Sequence, residues 1–480
     1  MKIFNTLSRN KEEFVPREEG KISLYTCGPT VYNHIHIGNA RTFISFDTIR
    51  RFLMWRGFDV TFVQNVTDVD DKIINRSLEE GRSAEEVAAD YTEAFINSMH
   101  AVGVLDPTIR PRATETIEDM IGLIKRLIAS EHAYVVDGDV YFAVRSFPEY
   151  GKLSGRDVDD MRAGTRIEVD ERKRDPLDFA LWKAAKPGEP SWTSPWGQGR
   201  PGWHIECSAM SEAELGLPFD IHGGGVDLVF PHHENEIAQS EAATGKPFAN
   251  YWMHGGMLQI NSEKMSKSLG NFTLLKDVLE RYPAPVIRLF MLQTHYRSPL
   301  DFSDARLQEA TTAYERIATF VRNARWAAAQ GDESIAETDA VGAQRNAAFA
   351  EALENARVKF IDDMDDDFNT AGALGAIFEI VKQGNAFLQT GVGSQSRLLL
   401  SQAADLLEEL LGALGVEIAF EGTDQASGQS AVDFEVLLEE RQQARAEKNW
   451  ARADQIRDEI DALGYSIEDT AQGARVVRKS

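Results

Sequence analysis

A strand–loop–helix–strand pattern near the start of the chain constrains the fold more than any other feature. Ile22–Tyr25 is a short run of strand-forming residues, and Cys27–Thr30 interrupts it with Gly and Pro. From Ala40 the apolar residues recur at helical spacing as far as Gly57, and residues 59–63 form the next strand candidate. Strand, helix and strand within about forty residues make a βαβ unit, whose two strands run parallel. The pattern predicts an α/β fold built on a parallel sheet.

The rest of the chain changes character twice. Residues from about 115 to 200 show a mixed pattern, with a hairpin expected at Asp137-Gly138 and a loop expected over 186–202, which is dense in Gly, Pro, Ser and Trp. We interpret this region as an insertion in the sheet domain. An Ala-rich helical region follows, and the polar segment Glu421–Ser430 is a linker candidate. The predicted domains are a parallel-sheet domain at 1–305 with the insertion at about 115–200, an all-α helical bundle at 306–420 and a small α+β domain at 431–480.

Composition and charge exclude several classes of protein. No stretch approaches the roughly 18–20 apolar residues of a membrane span, and the N-terminus lacks the apolar core of a secretion signal. The two cysteines, Cys27 and Cys207, cannot form a disulfide framework, so a reducing compartment is expected. A net charge of −25 argues by itself against nucleic-acid binding, although such an average can hide a basic groove.

The junction between the first strand and its helix carries a candidate phosphate site. His36 can donate a hydrogen bond to a phosphate oxygen, and Gly38 has no Cβ to keep a ligand from the backbone. A helix N-terminus adds unpaired N–H groups and a dipole that favours an anion. By itself such a pattern is more often a capped loop than a nucleotide site.

A second candidate phosphate site lies much later in the chain. Lys264 and Lys267 are three residues apart in a segment rich in Ser and Gly. Two ammonium groups there would hold a triphosphate and neutralise the charge that develops on a leaving pyrophosphate. An isolated pair of this kind is usually a solvated surface loop.

A third group of residues has the chemistry of a zinc site. If Pro231 opens a helix, His232 and Glu236 share one face at i and i+4, although His233 and Glu236 at i and i+3 are also possible. With Cys27 and Cys207, a site of two thiolates, one imidazole and one carboxylate can be drawn. Spacing alone does not decide whether these residues form a zinc site, because no short Cys-x-x-Cys motif links the two cysteines.

The first two motifs resemble the signature elements of class I aminoacyl-tRNA synthetases. His36-Ile37-Gly38-Asn39 is similar to their "HIGH" element, with Asn39 in place of the second His, and Lys264–Ser268 matches their "KMSKS" element letter for letter. The resemblance implies a Rossmann-like catalytic domain in which His36, Gly38 and Asn39 position ATP. It also implies that Lys264 and Lys267 stabilise the transition state for adenylate formation.

Longer segments resemble the cysteinyl-tRNA synthetase family over nearly the whole chain. They are residues 25–32, 65–72, 202–208 and 230–236. The resemblance makes Cys27, Cys207, His232 and Glu236 the ligands of one Zn²⁺ per chain, and so selects His232 over His233. A zinc-bound thiolate would distinguish cysteine from serine without an editing site, since serine's hydroxyl is a weaker acid and a harder ligand. Beside the ligands, Thr67 and Trp203 are expected to line the substrate pocket.

Asp227 follows Gly223-Gly224-Gly225 and would hold the substrate ammonium, although a loop-capping Asp is the alternative.

The resemblance implies a ligase that activates L-cysteine with ATP and Mg²⁺ and transfers it to tRNA(Cys). Residues 306–420 would then contact tRNA, and residues 431–480 would recognise the anticodon. The expected protein is cytoplasmic and monomeric, without a membrane partner. One alternative is a ligase that passes activated cysteine to a small amine, as in the mycothiol pathway; that relative lacks the terminal domain. Another is a non-catalytic protein of synthetase fold, which should have lost motif residues that this chain retains.

Overall fold

The structure is a computed structural model, and it describes residues 1–159, 171–260, 263–264, 273–330, 340–389, 394–418, 434–463, 465–470 and 473–478. The chain forms two compact units. Unit 1 comprises Met1–Tyr314, Phe360–Leu374 and Leu411–Val416; unit 2 comprises Glu315–Lys359, Gly375–Leu410 and Glu417–Ser480. The three sequence-based domain boundaries remain a prediction, and the proposed linker at 421–430 lies outside the described residues.

The strands and helices are numbered in chain order. The strands are β1 Lys2–Asn5, β2 Asn10–Glu13, β3 Lys21–Thr26, β4 Asp59–Gln64, β5 Ala133–Val136, β6 Asp139–Phe142, β7 Phe179–Ala184, β8 Trp192–Ser194, β9 Gly197–Pro201, β10 Phe219–Gly225, β11 Ala249–Gly255, β12 Leu258–Ile260, β13 Glu263–Lys264, β14 Leu300–Asp301, β15 Tyr465–Thr470 and β16 Gly473–Arg478. The helices are α1 Ile37–Trp55, α2 Asp71–Glu80, α3 Ala84–Ala101, α4 Ile117–Ala129, α5 Trp203–Leu215, α6 Glu234–Thr244, α7 Leu275–Leu279, α8 Ala284–Leu292, α9 Asp304–Gln330, α10 Ala340–Asp365, α11 Thr370–Leu388, α12 Ser394–Ala413, α13 Phe434–Ala446 and α14 Trp450–Ala462.

The predicted βαβ unit is confirmed as β3, α1 and β4, and it forms half of a four-stranded sheet. The strand order is β11-β10-β3-β4, and every neighbouring pair is parallel. The chain adds β4 next to β3 on one side of the sheet and adds β11 next to β10 on the other side, so the direction of strand addition reverses between β3 and β10. The carboxyl ends of these two strands therefore form a topological switch point, which is the usual ligand position in open α/β sheets.

The core of unit 1 covers both faces of this sheet. Strand side chains such as Leu24, Val63 and Phe219 are fully buried, as is Trp252 of β11. Near-continuous burial along the strands is expected for a parallel sheet, because helices pack on both of its faces.

The insertion forms an antiparallel sheet in the order β5-β6-β7-β9-β8. The hairpin expected at Asp137-Gly138 is confirmed, with positive φ angles of 52° and 87° at the two turn residues. The loop expected over residues 186–202 is wrong, because β8 and β9 lie there. Gly199 of β9 approaches Trp182 so closely that a Cβ would come within 2.2 Å of the indole nitrogen. Close packing against β7 explains both the strand and its glycine, and the local composition gives no sign of this packing.

The Ala-rich region is helical, as predicted, and forms α9 to α12. Within unit 2, Arg325 of α9 pairs with Asp405 and Glu408 of α12 at 2.6 Å and 2.9 Å. The terminal segment has α13 and α14 beginning at Phe434 and Trp450, followed by the β15–β16 hairpin. The predicted small α+β domain is therefore present. Throughout the described part of the chain, every helix is too short or too polar to cross a lipid bilayer.

Asp367 joins distant segments of unit 1. Its buried carboxylate accepts hydrogen bonds from the Phe4 backbone N–H at 2.8 Å, the Tyr296 hydroxyl at 2.9 Å and Arg297 Nε at 2.7 Å. Its own N–H donates to the Lys2 carbonyl at 2.8 Å. Asp367 has a φ of +65°, in the left-handed region that Asp tolerates better than most residues.

Candidate active site

Four predicted ligands from separate parts of the sequence meet at the switch point. Cys27 directly follows β3, Cys207 lies in α5, His232 lies in the helical turn before α6, and Glu236 lies in the first turn of α6. Their ligand atoms all lie within 4.8 Å of one another, and all four residues are buried. The strand end and two helix starts therefore position the donor set that the sequence suggested.

The distances among these atoms suit a shared ion. The two Sγ atoms are 3.7 Å apart and both thiols are free. Cys27 Sγ lies 3.6 Å from Glu236 Oε1, and His232 Nε2 lies 3.0 Å from the same oxygen. Two sulfurs, one imidazole nitrogen and one carboxylate oxygen are all ligand types that zinc accepts. The residues present therefore fit a zinc ion.

The electrostatics of this cluster also favour a cation. Burial raises the pKa of the Cys27 thiol well above its usual range, whereas the hydrogen bond with Cys27 lowers the pKa of Cys207 to about 6. Burial opposes ionisation of Glu236, but the imidazoles of His222 and His232 outweigh it and hold the pKa of this carboxyl well below normal. Burial lowers the pKa of His232, but Glu236 and Cys207 outweigh it and raise this pKa to about 10. The protonated imidazole therefore balances part of the negative charge that a divalent cation would otherwise compensate.

Four further histidines surround the cluster, and the sequence had considered only His233 among them. His204 Nδ1 lies 2.9 Å from His232 Nδ1. His222 Nε2 lies 2.8 Å from Glu236 Oε2, and His233 Nδ1 lies 2.8 Å from His254 Nε2. His233 Nε2 also lies 3.3 Å from Cys27 Sγ, so Cys27, His222, His233 and Glu236 form an overlapping ligand group. Geometry alone thus keeps both adjacent histidines as ligand candidates. A sequence signal existed for His222, which directly precedes the Gly223-Gly224-Gly225 run.

The expected pocket residues lie at different depths. Trp203 begins α5, is 36% exposed, and has its ring centroid 4.3 Å from that of His232. Thr67 is 2% exposed, and its hydroxyl donates to Glu206 Oε2 at 2.7 Å. Asp227 is exposed at the carboxyl end of β10, where a Cβ on Gly225 would come within 2.5 Å of its Oδ1. Trp203 thus packs on a ligand candidate, Thr67 lies beneath the surface, and Asp227 is accessible to a ligand.

His36 and Asn39 cap the helix on which they were predicted to bind phosphate. His36 Nδ1 accepts from the Asn39 N–H at 3.2 Å, and Asn39 Oδ1 accepts from the His36 N–H at 3.4 Å. Because Nδ1 accepts, the neutral ring carries its proton on Nε2, where a phosphate oxygen can accept it. A Cβ on Gly38 would lie 2.9 Å from His36 Nδ1. Gly38 therefore makes room for the capping imidazole, a role that the sequence did not indicate.

Of the two lysines of the second motif, only the backbone of Lys264 is described. Lys264 lies in β13, opposite Gln259 of β12, and its side chain is not described. Lys267 lies outside the described residues. Their predicted roles remain predictions.

Three family models match successive parts of the chain. They are "tRNA synthetases class I (C) catalytic domain" at residues 13–312, "DALR domain" at residues 359–419 and "Cysteinyl-tRNA ligase anticodon binding domain" at residues 431–476. The first model alone covers more than half of the sequence.

Relatives and solved structures agree with these matches. The cysteine–tRNA ligases of Desulforamulus reducens and Carboxydothermus hydrogenoformans are 52% and 51% identical to this chain, over 99% of both partners in each case. Methionyl-tRNA synthetase of Mycobacterium tuberculosis, solved with methionyl-adenylate, shares the fold with a TM-score of 0.62 at 16% identity, covering 82% of this chain and 91% of that one. A leucyl enzyme from Agrobacterium radiobacter, solved as a ternary complex, has a TM-score of 0.60 at 13% identity, covering 85% and 87%. The chain therefore belongs to the cysteinyl-tRNA synthetase family of class I aminoacyl-tRNA synthetases.

Proposed function

We propose that this chain is an ATP-dependent cysteine–tRNA ligase that selects its amino acid at the Cys27, Cys207, His232 and Glu236 cluster. The observation that carries the proposal is the convergence of these four buried side chains at the switch point of the sheet. That edge is shared with the start of α1, where His36 and Asn39 lie, because α1 follows β3 through the Cys27 segment.

In the first step, a carboxylate oxygen of L-cysteine attacks the α-phosphorus of ATP. A new P–O bond forms to the carboxylate, the bond to the bridging oxygen breaks, and pyrophosphate leaves with the electron pair. His36 Nε2 and the dipole of α1 orient the phosphates, and Lys264 and Lys267 neutralise the charge that accumulates on the leaving group, together with Mg²⁺ brought by ATP. No covalent enzyme intermediate is needed, because orientation and charge stabilisation suffice.

Zinc, when held by the four clustered side chains, supplies a soft Lewis acid that favours a thiolate over a hydroxyl ligand. The chain's own residues shape the rest of the pocket. Trp203 packs against the imidazole of His232 and forms a wall, while Asp227 presents an exposed carboxylate for the substrate ammonium. Thr67 supports the floor through its hydrogen bond to the buried Glu206.

In the second step, a terminal ribose hydroxyl of tRNA(Cys) attacks the cysteinyl carbonyl. The ester bond forms, the bond to AMP breaks, and the hydroxyl proton leaves with the departing phosphate or solvent. The match of residues 431–476 to an anticodon-binding domain supports tRNA as the acceptor. The alternative transfer to a small amine is not supported, since cysteine–tRNA ligases match this chain along its full length. The two free thiols suit the reducing cytoplasm expected for the chain, which we take to be monomeric.

One experiment tests this function directly. Cysteine-dependent ATP–pyrophosphate exchange should be measured with and without a zinc chelator, and the charging of purified tRNA(Cys) should follow. We expect exchange with cysteine and not with serine, and we expect the chelator to remove it until zinc is restored. A Cys207→Ser variant should lose both zinc and exchange. Full exchange by a metal-free enzyme would contradict the zinc assignment, and absence of exchange in the zinc-loaded enzyme would contradict the function.

A further inference from the structure

Arg41, in the second turn of α1, is buried among backbone carbonyl groups. Its side chain is 1% exposed. Nη1 donates to the carbonyls of Gly256 and Met257 at 2.9 Å and 2.8 Å, and Nη2 donates to those of His295 and Ser298 at 3.3 Å and 2.5 Å. One guanidinium thus joins α1 to two segments more than two hundred residues away.

Both segments lead into the small sheet that contains Lys264. Gly256 and Met257 directly precede β12, and Ser298 lies two residues before β14. Strand β12 pairs with β14 on one side and with β13 on the other, where Gln259 is opposite Lys264. Arg41 therefore holds the entrances of β12 and β14, and through β12 it sets the position of the Lys264 backbone relative to α1.

Gly256 shows how closely these segments approach. A Cβ at this position would lie 2.5 Å from the carbonyl oxygens of both Arg297 and Ser298. The Gly256 N–H donates to the Tyr296 carbonyl at 2.7 Å. The neighbouring Gly255 differs, because a Cβ there would meet its nearest atom at 3.8 Å. Of these two glycines, Gly256 is the one required for the tight contact that lets Arg41 reach both segments.

The segment after the second motif is also attached to the start of α1. The Ile37 N–H donates to the Thr273 carbonyl at 3.0 Å, and the Leu275 N–H donates to the Ile35 carbonyl at 3.1 Å. Both bonds join backbone groups next to His36, so no side-chain substitution removes them. The segment before the second motif is attached to α1 by the Arg41 side chain, which a substitution can alter selectively.

The charge of Arg41 is unusual for a buried arginine. Among the described residues no carboxylate lies within ion-pair distance of it, whereas the equally buried Arg288 pairs with Asp47 at 2.6 Å. Burial lowers the pKa of Arg41 to about 10. Four carbonyls in two directions match the rigid, forked donors of a guanidinium, which a single ammonium point charge cannot reproduce.

We propose that Arg41 is a positioning residue for adenylate formation, because it fixes the strand of Lys264 against the helix start that carries His36 and Asn39. The proposal rests on the function proposed above. It assigns to Arg41 no contact with substrate. Its effect should fall on the chemical step with ATP and not on the selection of cysteine, since Arg41 bonds to carbonyls that lead into the small sheet and to no residue of the ligand cluster.

The test compares Arg41→Lys with Arg288→Lys in the full-length, zinc-loaded enzyme. For each variant we would measure kcat, KM for ATP and KM for cysteine in pyrophosphate exchange, together with zinc content and thermal midpoint. For Arg41→Lys we expect kcat to fall by about 10- to 100-fold, as expected for misplacement of reacting groups by about 1 Å. KM for cysteine and zinc content should match the wild type. Arg288→Lys should lower the thermal midpoint while leaving kcat within about threefold of the wild type.

A second pair of variants leaves Arg41 in place. Gly256→Ala should separate the two carbonyl segments and reproduce the loss of kcat, whereas Gly255→Ala should not. Amide hydrogen exchange should become faster at Gly256 and Leu300 in both damaging variants, and stay unchanged in β3 and β4. If Arg41→Lys does not fold, the glycine pair decides. A Gly256→Ala enzyme with wild-type kcat, or an Arg41→Lys enzyme no slower than Arg288→Lys, would overturn the proposal. Absence of exchange in the wild type would instead refute the proposed function.

Discussion

The imidazole Nε2 of His222 lies 2.8 Å from Oε2 of Glu236, while the other carboxylate oxygen lies 3.0 Å from His232 Nε2. Glu236 is thus held from both sides by imidazoles, and one of its oxygens faces the two cysteines. A partner of this kind fixes the orientation of a metal-binding carboxylate. Zinc affinity should therefore depend on His222, although it lies outside the four predicted ligands.

We expect His222→Asn to weaken zinc binding by about 10- to 100-fold, the usual cost of losing such a partner. Competition with a chromophoric chelator would measure the affinity. His132→Asn is the matched control, because His132 bonds to Ser146 within the insertion, and neither residue belongs to the ligand cluster. Equal zinc affinities for the two variants would show that His222 does not support the site.

Thr67→Val removes the hydroxyl that donates to the buried Glu206. An unsatisfied buried carboxyl group should lower the free energy of unfolding by about 1–3 kcal/mol, and Thr67→Ser should restore most of it. Urea unfolding measures the change. Thr92→Val serves as the control, since the Thr92 hydroxyl bonds only to the Ala88 carbonyl of its own helix at 2.6 Å in the described structure. If Thr67 also lines the pocket, KM for cysteine should rise in Thr67→Val alone.

Lys267→Ala should slow adenylate formation by about 10²- to 10³-fold, because one charge that stabilises the leaving pyrophosphate is lost. Single-turnover measurements with ATP and cysteine would report the rate, and circular dichroism would check the fold. Lys246→Ala changes an exposed lysine just after α6 and should have the wild-type rate. An unchanged rate in Lys267→Ala would remove this residue from the catalytic step.

Asp71, at the start of α2, should make stability depend on acid pH. Burial works against its ionisation, but Lys183 and Arg200 outweigh it and lower the pKa of Asp71 below its ordinary value. A carboxyl with a lowered folded-state pKa stabilises above its unfolded pKa of about 4, and that stabilisation is lost as the pH falls. Asp71→Asn should therefore be less stable than the wild type at pH 7, and the gap should shrink below about pH 4.

Urea unfolding at several pH values would follow the Asp71 effect. Asp277→Asn, at an exposed position of α7, is the control and should differ little from the wild type at any pH. A gap for Asp71→Asn that does not change with pH would mean that the ion pairs with Lys183 and Arg200 do not stabilise the fold.

Removal of residues 431–480 should spare pyrophosphate exchange and impair tRNA charging. The removed segment matches an anticodon-binding domain, whereas the ligand cluster and α1 lie in unit 1. Charging kinetics at several tRNA concentrations would show the loss as a raised KM for tRNA. Unchanged charging would contradict a recognition role for this segment.

The sequence predicted the features that rest on short-range patterns. The βαβ unit and the hairpin at Asp137-Gly138 follow from periodicity and turn chemistry, and both are present. The i, i+4 relation also predicted the proximity of His232 and Glu236, which is confirmed. Spacing did not show whether Cys27 and Cys207 are part of one site, and the family resemblance supplied that prediction.

Features that depend on long-range packing could not be predicted. Strands β8 and β9 form in a region of loop-like composition, because β7 offers a pairing edge and Trp182 requires a glycine beside it. His254 and Arg41 have no local pattern that marks them. Their roles come from side chains and carbonyls supplied by other elements, so only the assembled fold reveals them.

The contacts of Asp367 with the first strand set an order on biosynthesis. The Phe4 N–H and the Lys2 carbonyl form hydrogen bonds with Asp367, which is translated 363 positions after Phe4. While the ribosome is still making the catalytic sheet, the amino-terminal hairpin lacks these bonds. Unit 1 therefore completes these hydrogen bonds only after α10 has been translated and Asp367 has left the exit tunnel. Maturation of unit 1 is thus coupled to synthesis of Glu315–Lys359, the first segment of unit 2.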